Sequence, residues 1–473
     1  MIKARHVPPP LATADFLHQP LAGLGPPWLI QLDALLDDEP LVSLVWEALT
    51  RRRQRSSNRG RPGFPAEIVL RMVVLKHLRN WSFADLAWEV RSNLVYRQFA
   101  RVGGGAVPHA KTFARQVQAL GPDVVRQIHE RVVDIACENQ IVSGRKMRVD
   151  TTVVETNIHY PTDSSLLGDG VRVLTRLMKR VTEIAGKAGA GMRDRSRSAK
   201  LRVVEIARAS RSKSEQGQQR MKDLYGQLLE TSGRVMGQAR QFAQEIASGV
   251  KRSSDFKKQA ALECIQKELE TFSGRVKQVR RQARERLFAG NTHVEGKLVS
   301  LFEPATEIIR RGKASKPTEF GKMIKIQEAE AQIIVDYEVY AKRPADSDLL
   351  VPAVETHAKR LGRVPRWVAA DAAFYSAKGE KRVQEMGVKY ASIPNRSTKS
   401  VERRQMQKRR WFKKGQKWRT GCEGRISVLK RRHGLARCRY KGEPGMERWV
   451  GLGVIGDNLI NISRILAERN APA

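Results

Sequence analysis

A long helical run set between two stretches with strand periodicity most constrains what this chain can fold into. Residues 171–296 are rich in Lys, Arg, Gln, Glu and Ala and contain no proline, and strand signals stand on both sides of them, at 141–160 and again after Gly296. Within the run, apolar residues recur three or four apart, at Leu174, Leu177, Val181 and Ile184 and later at Leu262, Ile265, Leu269, Phe272, Val276 and Val279. That spacing predicts long amphipathic helices packed as a hairpin or coiled coil, with a partly disordered basic linker as the alternative. Any sheet built by this chain must close across the insertion.

The strand before it is "IVSGRKMRVDTTVVETNIHY". Met147, Val149, Thr151 and Val153 alternate with Arg148, Asp150, Thr152 and Val154, a period of two. Asp150 therefore sits inside a strand, where an unpaired carboxylate is costly unless it binds a metal or another cation. After Gly296, "KLVSLFEPATEIIRRGK" and "FGKMIKIQEAEAQIIVDYEVY" predict an antiparallel meander. "SDLLVPAVETHAKRLG" then reads as a helix, "VPRWVAADAAFYS" as a strand, "AKGEKRVQEMGV" as a helix and "KYASIP" as a strand. This order is α/β, and it is the order of a ribonuclease H-like fold with an arm spliced in after the first strand. In such a fold Asp150 and Asp371 lie on neighbouring central strands, and ligands of open α/β sheets collect beyond strand carboxyl ends.

Two facing carboxylates repel unless a cation intervenes. A pair of divalent ions about 3.5–4 Å apart would relieve the repulsion and clamp both oxygens of an in-line phosphoryl displacement; hard oxygen ligands suit Mg²⁺ or Mn²⁺. The best third acid is Glu423 in "QKWRTGCEGRISVLKRRHGL", since residues 401–440 hold 15 Lys and Arg against two acids, Glu402 and Glu423. A lone acid in such a run is ordinarily a surface ion-pair partner. At about 100° per residue, however, Arg419, Glu423 and Lys430 share one helical stripe, which sets the acid between two phosphate-binding cations. Among the other acids, Glu155 reads as at most an outer partner of the site, Asp163 as a turn residue, Asp336, Asp346 and Asp348 as solvated or capping groups, and Glu319 as the alternative ligand. His159 and His433 lack a second histidine at ligand spacing and read as structural.

Charge identifies the partner class. The 473 residues carry 87 Lys and Arg against 49 Asp and Glu, a net +38, in a chain that is still 41% hydrophobic. Such a folded basic protein binds a polyanion, nucleic acid before an anionic membrane surface. No apolar run is expected to approach the roughly 20 residues of a spanning helix, and "MIKARHVPPPL" lacks a signal-peptide core. Cys137, Cys264, Cys422 and Cys438 form no C-x-x-C pair, which points to a reducing cytoplasm and no zinc site. Residues 1–60 begin with a proline cluster and end in the basic run "RRRQRSSNRGRPG", a mobile or nucleic-acid-tracking segment. Over residues 61–140, "AEIVLRMVVLKHLRN", "WSFADLAWEVRSNLVYRQFA" and "VGGGAVPHAKTFARQVQAL" predict three helices, with Ser82 and Asp85 as a capping box. A helix-turn-helix-like DNA-binding module and an ordinary bundle with a basic face fit them equally.

The three acid-bearing blocks, "MRVDTTVVETNIHYPTDSSLL", "WVAADAAFYS" and "RTGCEGRISVLKRRHGL", resemble in order the first-aspartate, second-aspartate and glutamate blocks of bacterial insertion-sequence transposases of the DDE superfamily, most of all the ISNCY group. The last has the family's Arg-x3-Glu-x6-Lys core at Arg419, Glu423 and Lys430, and "RPGFPAEIVLRMVVLKHLRNWSFADLAWEV" is similar to the family's helical N-terminal domain. The likeness touches residues 60–170 and 297–465. Two positions depart from the pattern: Gln416 stands where the family has a tyrosine, and Ala373 where it often has glycine. The resemblance implies a ribonuclease H-like catalytic domain over 141–170 and 297–473. It implies a DNA transposase that binds the inverted-repeat ends of its own element, cleaves there with water and joins the 3′-hydroxyl to target DNA. Asp150, Asp371 and Glu423 would be catalytic and hold two Mg²⁺ ions, with Mn²⁺ as substitute. Arg419, Lys430, Arg425, Arg431, Arg432 and Gln416 would contact double-stranded DNA, in a homodimer that pairs the two ends at the nucleoid. A catalytically inactive DNA-binding protein and a nuclease on the same fold are the alternatives.

Overall fold

A computed structural model of the chain describes residues 25–51, 63–186, 188–310 and 317–470. The basic run at 52–62 and the proline cluster at the start lie outside the described residues. The chain forms two compact units, one of Met1–Asn157 with Ile309–Ala473 and the other of Ile158–Ile308.

The first unit opens with helices α1 (Pro27–Leu35), α2 (Glu39–Arg51), α3 (Ala66–Leu78), α4 (Phe83–Ser92), α5 (Leu94–Phe99), α6 (Ala110–Ala119) and α7 (Gly121–Glu138), followed by strand β1 (Lys146–Thr156). The Ser82 hydroxyl accepts the Asp85 N–H and the Asp85 carboxylate accepts the Ser82 N–H, each at 3.1 Å, so the capping box starts α4 as the sequence indicates. Asn93 then ends α4 and caps α5 by accepting the Tyr96 N–H, which divides the second expected helix in two. Part of the segment expected to be a basic arm is folded: Leu29, Leu32, Leu41, Val42 and Val45 join one core with α3 and α7. All residues of α3 are buried.

The second unit consists of α8 (Asp163–Ala185), α9 (Ser196–Ala209), α10 (Glu215–Ala247) and α11 (Phe256–Phe288). The apolar stripes are its core: Leu174, Leu177, Val181, Leu262, Ile265, Leu269, Val276 and Val279 are buried together. Asp163 is not a turn residue. It begins α8, buried, with its carboxylate 2.7 Å from Arg286 and accepting from Gln282 at 3.0 Å. "KLVSLF" is not a strand either. Leu298 and Leu301 pack into the helical core, and the Gln282 side chain accepts the Leu298 N–H and donates to its carbonyl, both at 3.0 Å, satisfying backbone groups that a neighbouring strand would have used.

After β2 (Glu307–Arg310), within which the first unit resumes, the chain continues through β3 (Thr318–Glu328), β4 (Ile334–Val339), α12 (Leu350–Leu361), β5 (Trp367–Ala370), α13 (Ala377–Glu385), β6 (Tyr390–Ser392), α14 (Val401–Lys408), α15 (Arg410–Arg432), β7 (Arg437–Cys438) and α16 (Glu443–Arg469). This is a mixed α/β protein, mostly helical, around one mixed sheet of order β2-β3-β1-β5-β6, with β4 beside β3 and β7 beside β1. β1 pairs antiparallel with β3 and parallel with β5 and β7, and β5 pairs parallel with β6. One face of the sheet packs Met147, Val149, Val368 and Ala370 against Leu350, Ala353 and Val354 of α12. The other packs Val154, Ile324 and Ile326 against Leu429 of α15 and Trp449, Val450 and Val454 of α16.

α16 corrects one expectation. By length and composition it is apolar enough to cross a membrane, contrary to the expectation that no run approaches a spanning length. Its Trp449, Val450, Val454, Ile455, Leu459 and Ile462 are buried within the first unit, where a helix apolar on most sides serves as a central core element.

Candidate active site

β1 carries Asp150 and the end of β5 delivers Asp371. Val149 stands opposite Ala370 in the parallel pairing, so the aspartates occupy the next position on each chain, on strands about 4.8 Å apart. Strand alternation turns both away from the face of Val149 and Ala370 and toward α15. Asp371 is still extended, with φ −73° and ψ 166°, before the chain turns through Ala372–Phe374. Asp150 Oδ1 accepts the Thr151 N–H at 2.7 Å.

Arg419 reaches into this corner from α15. Its Nη1 lies 3.9 Å from Asp150 Oδ2 and its Nη2 donates to Glu423 Oε1 at 2.8 Å. The Arg419 side chain is 13% exposed and that of Asp150 17%, whereas Glu423 is 57% exposed and marks the solvent edge. Burial pulls the guanidinium pKa down, but the hydrogen bond and charge of Glu423, with the charges of Asp371 and Asp150, hold it above the ordinary arginine value. Two of the acids singled out in the sequence, Asp150 and Glu423, thus lie against one cation, and the charge of Asp371 acts on it as well. Their oxygens are the hard donors that Mg²⁺ prefers. Among the described residues, no three His, Cys, Asp or Glu side chains are gathered at metal-ligand spacing; the guanidinium stands between the acids instead.

A buried polar cluster supports the corner from below. Arg148 donates to Glu328 Oε2 at 2.5 Å and to the Trp418 carbonyl at 2.7 Å, and its guanidinium lies over the Trp418 ring. Burial raises the Glu328 pKa, with Arg148 opposing. Burial, then the charges of Glu328 and Asp150, push the Cys422 thiol well above its usual value, so it stays protonated and is no nucleophile. Gly421 does not break α15, which is continuous through it; a Cβ there would run into the Arg148 guanidinium. The pairing of Arg148 with Glu328 is not evident from the sequence. A cation alternating with apolar residues in a central strand demands a buried partner, yet nothing local in "KIQEAEAQ" marks Glu328 as that partner.

Two expected DNA contacts are turned inward. The Gln416 carboxamide donates to the Ser392 carbonyl at 2.5 Å and the Ala370 carbonyl at 3.3 Å, tying α15 to the ends of β5 and β6 beside Asp371. Arg425 is buried and paired with Asp457 of α16 at 2.7 Å, because a desolvated guanidinium needs a carboxylate. Lys430 is half-buried, and Arg431 and Arg432 are exposed. Glu155 pairs with Arg437 at 3.3 Å, Asp346 accepts from the Thr151 hydroxyl at 2.8 Å, Asp336 pairs with Lys325 at 3.1 Å, and Glu319 is buried in β3. His433 is structural: it is buried, 3.4 Å from Asp457 and 3.3 Å from the His77 carbonyl. His159 lies 3.6 Å from Asp169, with its side chain largely in solvent.

Residues 28–119, from α1 to α6, match the family model described as "Transposase domain (DUF772)". Residues 378–464, from α13 into α16, match the one described as "Transposase DDE domain". The class these matches support is a DNA transposase. More particularly, they support a DDE transposase of an insertion sequence. Arg419 and Glu423 fall inside the second match, while Asp150 and Asp371 precede it. No curated protein and no solved structure matches the chain.

Proposed function

We propose that this protein is a metal-dependent DNA strand transferase, similar to those of the ISNCY group, that binds the inverted-repeat ends of its own element, cleaves there and joins the freed 3′-hydroxyls to target DNA. The observation that carries the reading is that Arg419 lies against both Asp150 and Glu423, with Asp371 one residue beyond the end of β5 adding its charge, where the parallel pairing of β1 and β5 ends. The sheet would be a ribonuclease H-like core interrupted by the helical arm, with residues 61–140 recognising the ends. The arm would help two protomers bring both ends together.

Asp150, Asp371 and Glu423 would hold two Mg²⁺ ions, with Mn²⁺ able to replace them; when bound, such ions activate the attacking oxygen and stabilise the leaving one. The protein's own part is positioning and charge. The Thr151 N–H orients Asp150, and Gln416 fixes the end of β5 next to Asp371. Arg419 is the resting counter-ion of the acids. Once they are neutralised otherwise, its planar fork is released to grip the phosphate beside the scissile bond. Lys430, on the same flank of α15, adds a point charge. Water attacks first and the 3′-hydroxyl second, so no side chain acts as nucleophile.

Incubating the full chain with Mg²⁺ and labelled DNA carrying its element end tests this. Joined products support the reading. Cleavage without joining would make the protein a nuclease, and binding without cleavage an inactive DNA-binding protein.

A further inference from the structure

α15 has a second charged flank. At about 100° per residue, Arg425, Val428 and Arg432 lie roughly half a turn round the helix from Arg419, Glu423 and Lys430. There they line a cleft of about 670 Å³, together with Arg79 and Asn80 just after α3, the Ala331–Gln332 turn, and Asp457 and Arg464 of α16. The single acid in it, Asp457, is already engaged by Arg425. Arg79, Arg431, Arg432 and Arg464 are exposed at its walls, and among the described residues none of the four is ion-paired. Guanidinium groups gathered with no free carboxylate repel one another, and an anion relieves this.

Two further observations point to a ligand. Asn80 Oδ1, at the cleft wall, is buried with no hydrogen-bond partner among the described residues, which is uncommon for buried polar atoms. The backbone also adopts φ of 52° at Ala331 and 62° at Gln332. These are non-glycine residues in the left-handed region, a conformation that clusters at ligand clamps and switch regions.

We propose that this cleft is a second DNA-backbone site, which seats phosphates of the duplex that runs on from the bond at the acids. The inference rests on the transposase reading and assigns that substrate a path. Thr420, Gly424 and Ser427 are the small residues on the outward stripe of α15 between the two flanks, leaving room for a backbone to cross. Glu423 and Arg431 are about 12 Å apart along the helix axis, or about four nucleotides at 3.4 Å each. Arginine forks recognise phosphate oxygens without regard to sequence, so the cleft contributes affinity and register and no base readout.

The test is the salt dependence of duplex binding by the full chain, wild type against the triple variant Arg79→Ala, Arg432→Ala, Arg464→Ala. The control variant Lys378→Ala, Lys381→Ala, Arg382→Ala removes equal charge from α13. Three lost phosphate contacts should flatten the log–log slope by about 2.7 units, at about 0.9 each, with the control unchanged. All substituted residues are exposed, and circular dichroism verifies folding. If wild type cleaves its element end but the cleft variant keeps the wild-type slope, or the control loses as much, the cleft assignment is wrong and the transposase reading stands. If inorganic phosphate protects the cleft arginines from phenylglyoxal but duplex DNA does not, the site is for a free phosphate and the DNA assignment is likewise overturned. Failure of wild type to cleave its own end in Mg²⁺ would instead remove the reading beneath it.

Discussion

Replacing Arg419 with methionine should move two observables in opposite directions. The guanidinium donates to Glu423 at 2.8 Å and stands 3.9 Å from Asp150 Oδ2, so a divalent ion held by these acids must displace it and then tolerate its charge nearby. Unit charges 4 Å apart interact by about 1 kcal/mol in water and about 4 kcal/mol at an effective dielectric near 20. Glu423 is 57% exposed but Arg419 only 13%, so the water-like value is the lower limit, and the doubled charge of the ion makes the repulsion at least about 2 kcal/mol. At about 1.4 kcal/mol per factor of ten, Arg419→Met should bind Mn²⁺ at least about ten to thirty times more tightly, read by titration calorimetry on the full chain without DNA. Strand transfer should fall at least about tenfold, because methionine keeps the stem but loses the fork that grips phosphate. Unchanged or weaker Mn²⁺ binding would refute the argument: Arg419 would then be preparing Glu423 for the ion rather than competing with it.

Asp150→Asn, Asp371→Asn and Glu423→Gln should each abolish Mg²⁺-dependent cleavage with DNA affinity nearly intact, as each removes one ligand charge and little volume; a variant that still cleaves in a gel assay excludes that residue as a ligand. Arg425→Met strands the buried Asp457 carboxylate and should cost about 3–5 kcal/mol in denaturant unfolding, most of it recovered in the double variant with Asp457→Asn. Lys76 is buried with Phe83, Tyr440 and Trp449 around its ammonium at 4.9, 5.1 and 4.7 Å, and burial, with Arg439 nearby, lowers its pKa from 10.5 to about 7. Between those values the unfolded chain binds the extra proton, so this group's contribution to stability rises with pH. Lys76→Met should therefore be more stable than wild type below pH 7, with the difference in melting temperature narrowing toward pH 9. A difference that does not vary with pH would mean that the rings hold the charge in the folded state.

What the sequence revealed and what it concealed divide along one physical line. Periodicity and local chemistry were legible: the alternation in β1, the stripes of α8 and α11, the Ser82–Asp85 cap, and the placing of Asp150 and Asp371 on adjacent strands. Contacts made across the fold were not. Arg425 and Arg432 belong to the same basic run, yet one is buried against Asp457 and the other is exposed, a difference set by where α16 packs. Gln416 reads as a weakened DNA contact when set against a family tyrosine. Its amide in fact holds two strand-end carbonyls from earlier in the chain, and backbone carbonyls have no sequence signature. Glu328 is hidden for the same reason, as the partner of a strand arginine 180 residues before it. Arg419 joins the two kinds of information. Its helical spacing to Glu423 is local and could be read directly, whereas its approach to Asp150 depends on α15 crossing β1 where its pairing with β5 ends. A residue that satisfies both requirements connects the helix to the sheet, which is why Asp150 and Glu423 meet at Arg419.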